Sequence, residues 1–183
     1  LGSATNQLGI VVDLDLRPEG KNGPMSRTIE SHREYAQRWA STWERQAAVC
    51  ARPIGEGSLA DSARALFDEL AYGGVSESDV RDIRLLKARM ENERLPRGIE
   101  PARHVKLGPG GLTDVEWTIQ LIQMRAGMNN PALRTPSTTQ AILSAREHEL
   151  ISAQDAQTLL DAWDMATRIR AANTLASGRM SGV

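Results

Sequence analysis

The chain has 183 residues, enough for one well-buried core or for a small domain with an appendage. Its 22 Lys and Arg against 23 Asp and Glu leave a net charge of −1, which argues against a protein that coats nucleic acid but not against a local nucleotide site. Cys50 is the only cysteine and His32, His104 and His148 are far apart, so disulfides and cysteine- or histidine-rich metal clusters are excluded and any metal must be held by carboxylates.

No run approaches the roughly 20 apolar residues of a membrane span, and the N-terminus lacks the basic-then-apolar build of a signal peptide, so no membrane partner is expected and the chain reads as cytoplasmic. Residues 1–3, Leu-Gly-Ser, read as a cloning scar, and the missing initiator methionine fits a piece of a longer protein. Helix formers dominate and aromatic residues make up only 4%, so the expected fold class is mainly α.

The first element is a strand. Val12 to Leu16 alternate apolar and charged, which puts Asp13, Asp15 and Arg17 on one face and Val12, Leu14 and Leu16 on the other. Two carboxylates beside a guanidinium could hold Mg²⁺ and leave a positive group for a phosphate; the plainer alternative is an amphipathic strand with a wet polar face. Pro18 and Gly20 stop it, and glycines and Pro24 make a turn-rich connector.

Helices are expected from there on. The first runs from Ser26 or Thr28 to Ala40, with Ile29, Tyr35, Ala36 and Trp39 inward. A second follows from Trp43 to about Ala51, capped by Ser41-Thr42, with Trp43, Ala47 and Cys50 on one inward stripe, which makes Cys50 a small core residue. Ser58 to Tyr72 is amphipathic through Leu59, Ala63, Leu66, Phe67 and Leu70, and Gly73-Gly74 stop it. Ser76-x-x-Asp79 is a capping box that opens a helix to about Arg94. Residues 81–106 are locally basic, but with no interleaved aromatics to stack bases they read as a solvated face with pairs such as Arg89 and Glu93.

The glycine-rich loop His104 to Gly111 enters a helix near Thr113. A phosphate site there is disfavoured, because the Walker signature is absent and Asp114 and Glu116 put two negative charges in the first turn, where Thr113-x-x-Glu116 can form a capping box. The helix carries one apolar stripe of Val115, Ile119 and Ile122 and another of Trp117, Leu121 and Met124, so it should be central, and its polar line Glu116, Gln120, Gln123 must find partners or a wet cleft. Two further helices are expected, from Ser137 to about Glu149 and from Ser152 to the stop at Gly178.

Three ordered segments then carry a resemblance: Val12-Asp13-Leu14-Asp15-Leu16-Arg17-Pro18-Glu19-Gly20, Thr42-Trp43-Glu44-Arg45-Gln46-Ala47, and Lys106 to Trp117. Together they resemble the glutamine synthetase adenylyltransferases of the nucleotidyltransferase superfamily, from about Leu8 onward. The resemblance implies a helical bundle that follows the last strand of a truncated nucleotidyltransferase α+β domain, with residues 4–24 as the remnant of that domain and 25–183 as a helical domain truncated at its C-terminus. It implies transfer of AMP from ATP to a tyrosine of glutamine synthetase, with Mg²⁺ and ATP as cofactors. Asp13 is similar to the third metal-binding carboxylate of the superfamily, Asp15 shares its face as a further catalytic candidate, and Arg17 is the nucleotide-phosphate candidate. The two upstream carboxylates of that set do not occur in this sequence, so the chain alone is expected to be inactive. Trp43 to Ala47 and Arg168 to Ala172 resemble the C-terminal, AMP-adding half; the phosphorolytic, AMP-removing half is the alternative. A third reading makes the helices a non-catalytic module that binds glutamine synthetase or a PII-type signal protein.

Overall fold

A computed structural model describes Leu14 and residues 16–178. Among them are seven α-helices: α1 (Ile29–Arg38), α2 (Thr42–Ala48), α3 (Ser58–Tyr72), α4 (Glu77–Arg94), α5 (Leu112–Ala126), α6 (Thr138–Glu147) and α7 (Ala153–Ser177), with single 3₁₀ turns at Gly20–Asn22, Pro101–Arg103 and Pro131–Leu133. The mainly α class expected from composition is therefore what the chain adopts. Most of the expected strand lies outside the described residues; Leu16 and Arg17, at its end, form a bend.

The chain divides into two compact units, one ending at Ala40 and one beginning at Ser41. The first contains the turn after Leu16 and α1, whose N-cap Thr28 accepts a hydrogen bond from Ser31 N–H at 3.1 Å. Trp39, expected inward, is 73% exposed. It stands at the C-cap with φ −128°, where the helical repeat no longer sets its direction.

The second unit is built around α5, which packs against α2, α3, α6 and α7. Its two apolar stripes serve two cores. Val115 and Ile119 pack with Leu133, Ala141, Ile142, Ala145 and Ala156, with Ile122, Leu160 and Trp163 around them. On the other side Met124 packs with Ala48, Val49, Ala71, Tyr72 and Ile83, backed by Phe67, Trp117 and Leu121. The expectation of a central helix holds, for the reason given: a helix apolar on two sides must bury both.

Caps fix most boundaries. Ser41 with Glu44 and Ser76 with Asp79 form capping boxes, and Ser137 and Ser152 cap α6 and α7. The box expected at Thr113 and Glu116 does not form. Helix α5 starts one residue earlier, with Gly111 as N-cap, and Thr113 Oγ1 donates to Lys106 O at 2.7 Å. The inward stripe expected on α2 is also different: Gln46, Ala48 and Val49 are buried, and Cys50 is exposed. The helix ends at Ala48, and Val49 and Cys50 continue with N–H bonds to the third residue back, so the 3.6-residue repeat fails before position 50. Leu59, in the first turn of α3, is 70% exposed rather than inward.

Candidate functional site

Asp13 and Asp15, the carboxylates singled out in the sequence, lie outside the described residues. Arg17 begins the described part of that site. Gly20 N–H donates to Arg17 O at 2.8 Å, closing a four-residue turn with Pro18 second and Glu19 third. Glu19, at φ 65° and ψ 10°, has the conformation of the third residue of a type II turn, where glycine is usual and a Cβ is strained. The next turn, Gly20–Asn22, brings Gly23 against Pro18. A Cβ on Gly23 would sit 2.1 Å from Pro18 O, so only glycine fits there.

Two arginines lace this turn. Arg17 donates from Nε to Gly23 O at 3.1 Å, from Nη2 to Lys21 O at 3.2 Å, and from Nη1 to Leu14 O. Three of the five donors of its guanidinium thus hold backbone carbonyls on both sides of the turn. Arg27 pairs through Nη2 with Glu19 Oε2, and its guanidinium lies 5.5 Å from the centre of the Tyr35 ring. Its Nε is buried without a hydrogen-bond partner. The sequence gives no periodic signal for the Arg27–Glu19 pair, because eight residues and a change of secondary structure separate the two.

The polar line of α5 forms a gradient from core to surface. Gln123 is buried, and its Nε2 donates to Leu133 O at 2.6 Å and Thr135 O at 2.8 Å, tying the loop before α6 to the central helix. Gln120 accepts from Gln46 Nε2 at 2.9 Å and donates to Cys50 Sγ at 3.2 Å. Burial pushes the Glu116 carboxyl above its ordinary value, against the opposing pull of Lys106 and Arg170. Although Cys50 as a residue is exposed, partial burial of its thiol likewise raises it, helped by the Glu116 charge and opposed by the Gln120 hydrogen bond. The line is therefore a set of partnered polar groups at its inner end rather than an open cleft.

The glycine-rich loop is occupied by its own chain. Leu112 N–H and Thr113 N–H donate to Val105 O and Lys106 O, His104 Nδ1 accepts from Leu107 N–H at 3.0 Å, and Asp114 Oδ2 accepts from Gly110 N–H at 2.7 Å. Lys87 of α4 pairs with both Asp114 and Glu91. These bonds use the N-terminal donors of α5 that a phosphate would need; of the two acidic residues expected in its first turn, only Asp114 lies there.

Among the described residues no three His, Cys, Asp or Glu side chains come together as a metal site, and no helix is long and apolar enough to cross a membrane.

Residues 2–66 match the family model described as glutamate-ammonia ligase adenylyltransferase, and residues 84–181 match that of GlnD PII-uridylyltransferase. A protein of Streptomyces coelicolor is 49% identical over 173 residues, covering 93% of this chain and 17% of that protein. One of Leifsonia xyli is 46% identical over 187 residues, and one of Cutibacterium acnes 45% over 186, each covering 100% of this chain and 19% of the relative. All three carry the name bifunctional glutamine synthetase adenylyltransferase/adenylyl-removing enzyme. The chain thus spans less than a fifth of the length of these relatives.

Proposed function

Because the chain belongs to the glutamine synthetase adenylyltransferase family, we propose that it serves the transfer of AMP from ATP to a tyrosine of glutamine synthetase, within the C-terminal, AMP-adding half of such an enzyme. The observation that carries this reading is the order of the chain. A D-x-D segment enters the Arg17–Gly23 turn and is followed by the helical unit, in a stretch that aligns over 93–100% of its length with relatives bearing that name. Asp13 is the metal-holding carboxylate, Asp15 its companion, and Arg17, with donors beyond those given to the turn, faces a nucleotide phosphate. Bound Mg²⁺ would neutralise charge on the departing pyrophosphate. Alone, these 183 residues are inert in this reaction, because they hold one carboxylate of the three that the superfamily resemblance implies.

The test is Mg²⁺-dependent transfer of labelled AMP onto glutamine synthetase by a longer protein that includes the upstream carboxylates, with and without Asp13→Asn. Transfer that falls by two or more orders of magnitude, with the fold intact, is the expected result. Full activity in the variant would return Asp13 to a solvated strand face. Release of AMP in the presence of phosphate, with no transfer, would assign the chain to the AMP-removing half, a reading that the relatives' double name also supports.

A second reading has its own observation. Residues 84–181 match a model named for an enzyme of PII uridylylation, which favours α4 to α7 as a docking module for a PII-type signal protein or for glutamine synthetase. Pull-down with each partner decides it, and capture of neither would dismiss it.

A further inference from the structure

The Arg27–Glu19 pair has no part in the chemistry above, yet it sits where the D-x-D segment leaves its expected strand. Leu14, whose carbonyl Arg17 holds, lies between Asp13 and Asp15 in sequence. The other end of the same guanidinium holds Lys21 O and Gly23 O, so the Leu14 carbonyl is fixed relative to the turn. The turn in turn depends on Glu19 staying at φ 65°, a conformation that is strained for a residue with a Cβ. Arg27 is the group that holds Glu19 there, and it is itself fixed: its guanidinium is seated over Tyr35 of α1, and its side chain is only 14% exposed. A buried Nε without a partner shows that this seat is kept at the expense of one hydrogen bond.

We propose that Arg27 is a positioning residue: through Glu19 and the Arg17-laced turn, it anchors the carbonyl of Leu14, which lies between Asp13 and Asp15 in sequence, to helix α1. The inference rests on the AMP-transfer reading for its consequence, but the anchor itself stands on the contacts just described. Its specific mark is that Arg27 and Glu19 act as one unit. Removing either releases the turn, and removing both does no more.

The experiment uses the full-length enzyme that carries these residues, with Arg27→Ala, Arg27→Lys, Glu19→Ala and the Glu19→Ala/Arg27→Ala double variant. Glu19→Ala removes the pairing carboxylate but keeps a Cβ that is strained at φ 65°, so nothing holds the turn there. Three quantities are read: kcat and KM for ATP in AMP transfer, hydrogen exchange of the amides in residues 17–23, and the thermal unfolding midpoint. Misplacement of reacting groups by about an ångström costs on the order of a hundredfold in rate. Arg27→Ala should therefore lower kcat by roughly ten- to a hundredfold with KM for ATP changed by less than about threefold, faster exchange in 17–23 and an unchanged midpoint. Glu19→Ala should match it, the double variant should be no worse than either, and Arg27→Lys should recover part of the loss. Losses that multiply in the double variant, or that follow the folded fraction, overturn the proposal. So does wild-type kcat in Arg27→Ala under conditions where Asp13→Asn is inactive. If Asp13→Asn itself stays active, the AMP-transfer reading fails, and the exchange measurement then decides the anchor alone: unaltered exchange in Arg27→Ala dismisses it.

Discussion

Gln123 can be replaced by a side chain of similar volume, and the structure fixes what should follow. Its Nε2 serves two carbonyls, Leu133 O at 2.6 Å and Thr135 O at 2.8 Å. Leu133 is wholly buried, but its carbonyl also accepts from Thr135 N–H at 2.9 Å, so in Gln123→Leu it keeps one donor; Thr135 is half-buried, and its carbonyl can be rehydrated. Each of the two lost hydrogen bonds costs about 1 kcal/mol, while the added apolar surface returns roughly 1. The net loss should be about 1 kcal/mol, which for a chain of this size lowers the unfolding midpoint by roughly 2–4 °C. Gln123→Glu sharpens the test. Ionised, the new carboxylate would face two carbonyl oxygens; protonated, it could donate to one of them, so its folded-state pKa is raised above the unfolded value of about 4.3. The folded state then binds more protons than the unfolded state above that value. Stability of Gln123→Glu relative to wild type therefore falls as pH rises from about 4.3 through the raised pKa. Urea unfolding followed by tryptophan fluorescence at pH 5 and pH 8 measures both effects. A Gln123→Leu penalty below about 0.5 kcal/mol, or a Gln123→Glu penalty equal at the two pH values, would refute the assignment of Gln123 as the tie between α5 and the loop before α6.

Two other perturbations have signs set by the structure. Burial pushes the Asp79 carboxyl up, but its hydrogen bonds from Ser76 and Thr42 and the Arg45 guanidinium 3.3 Å away outweigh that and hold it below its ordinary value. Its charge-dependent contribution is thus complete above the unfolded pKa of about 3.9 and is lost as pH falls through the lower folded value. Asp79→Ala should cost about 1–2 kcal/mol at pH 7, and the gap to wild type should narrow on acidification; a gap that widens contradicts the linkage. Alkylation of Cys50 by iodoacetamide at pH 7.5 should be slower than that of a free thiol peptide, because the raised thiol pKa leaves less thiolate, and Glu116→Gln should speed it. Faster reaction than the peptide would show that the thiol is not held up as described.

Much of the local structure was legible because its signals lie within a few residues of one another. Ser76 with Asp79, Ser152 before α7, and the Gly73 and Gly178 stops are capping chemistry, decided inside one helical turn. The two stripes of α5 were equally plain, since a repeat of 3.6 over fifteen residues leaves few ways to place it. Short elements were less legible. The seven-residue α2 is too brief for its pattern to decide a face, and tertiary contact buried Gln46 and Val49 instead of Trp43 and Cys50. Thr113 and Glu116 satisfied a capping pattern, yet the carbonyls of Val105 and Lys106, folded back by the glycine-rich loop, took the donors first. At the candidate site, the segment of Asp13, Asp15 and Arg17 was found by alternation and resemblance, while Arg27 carried no signal at all.

The sequence by itself determined the mainly α class, the order and caps of the long helices, the central place of α5 and the family, because each is written in local repeats or in ordered motifs. Only the tertiary structure decided that Gln123 ties a loop through two carbonyls, that Gln120 joins Gln46 and Cys50, and that Arg27 reaches Glu19 across a turn. Those partners lie eight to 74 residues apart. Which polar groups meet over such distances depends on how apolar faces close around them, and a polar side chain takes whichever partner that closure leaves within about 3 Å.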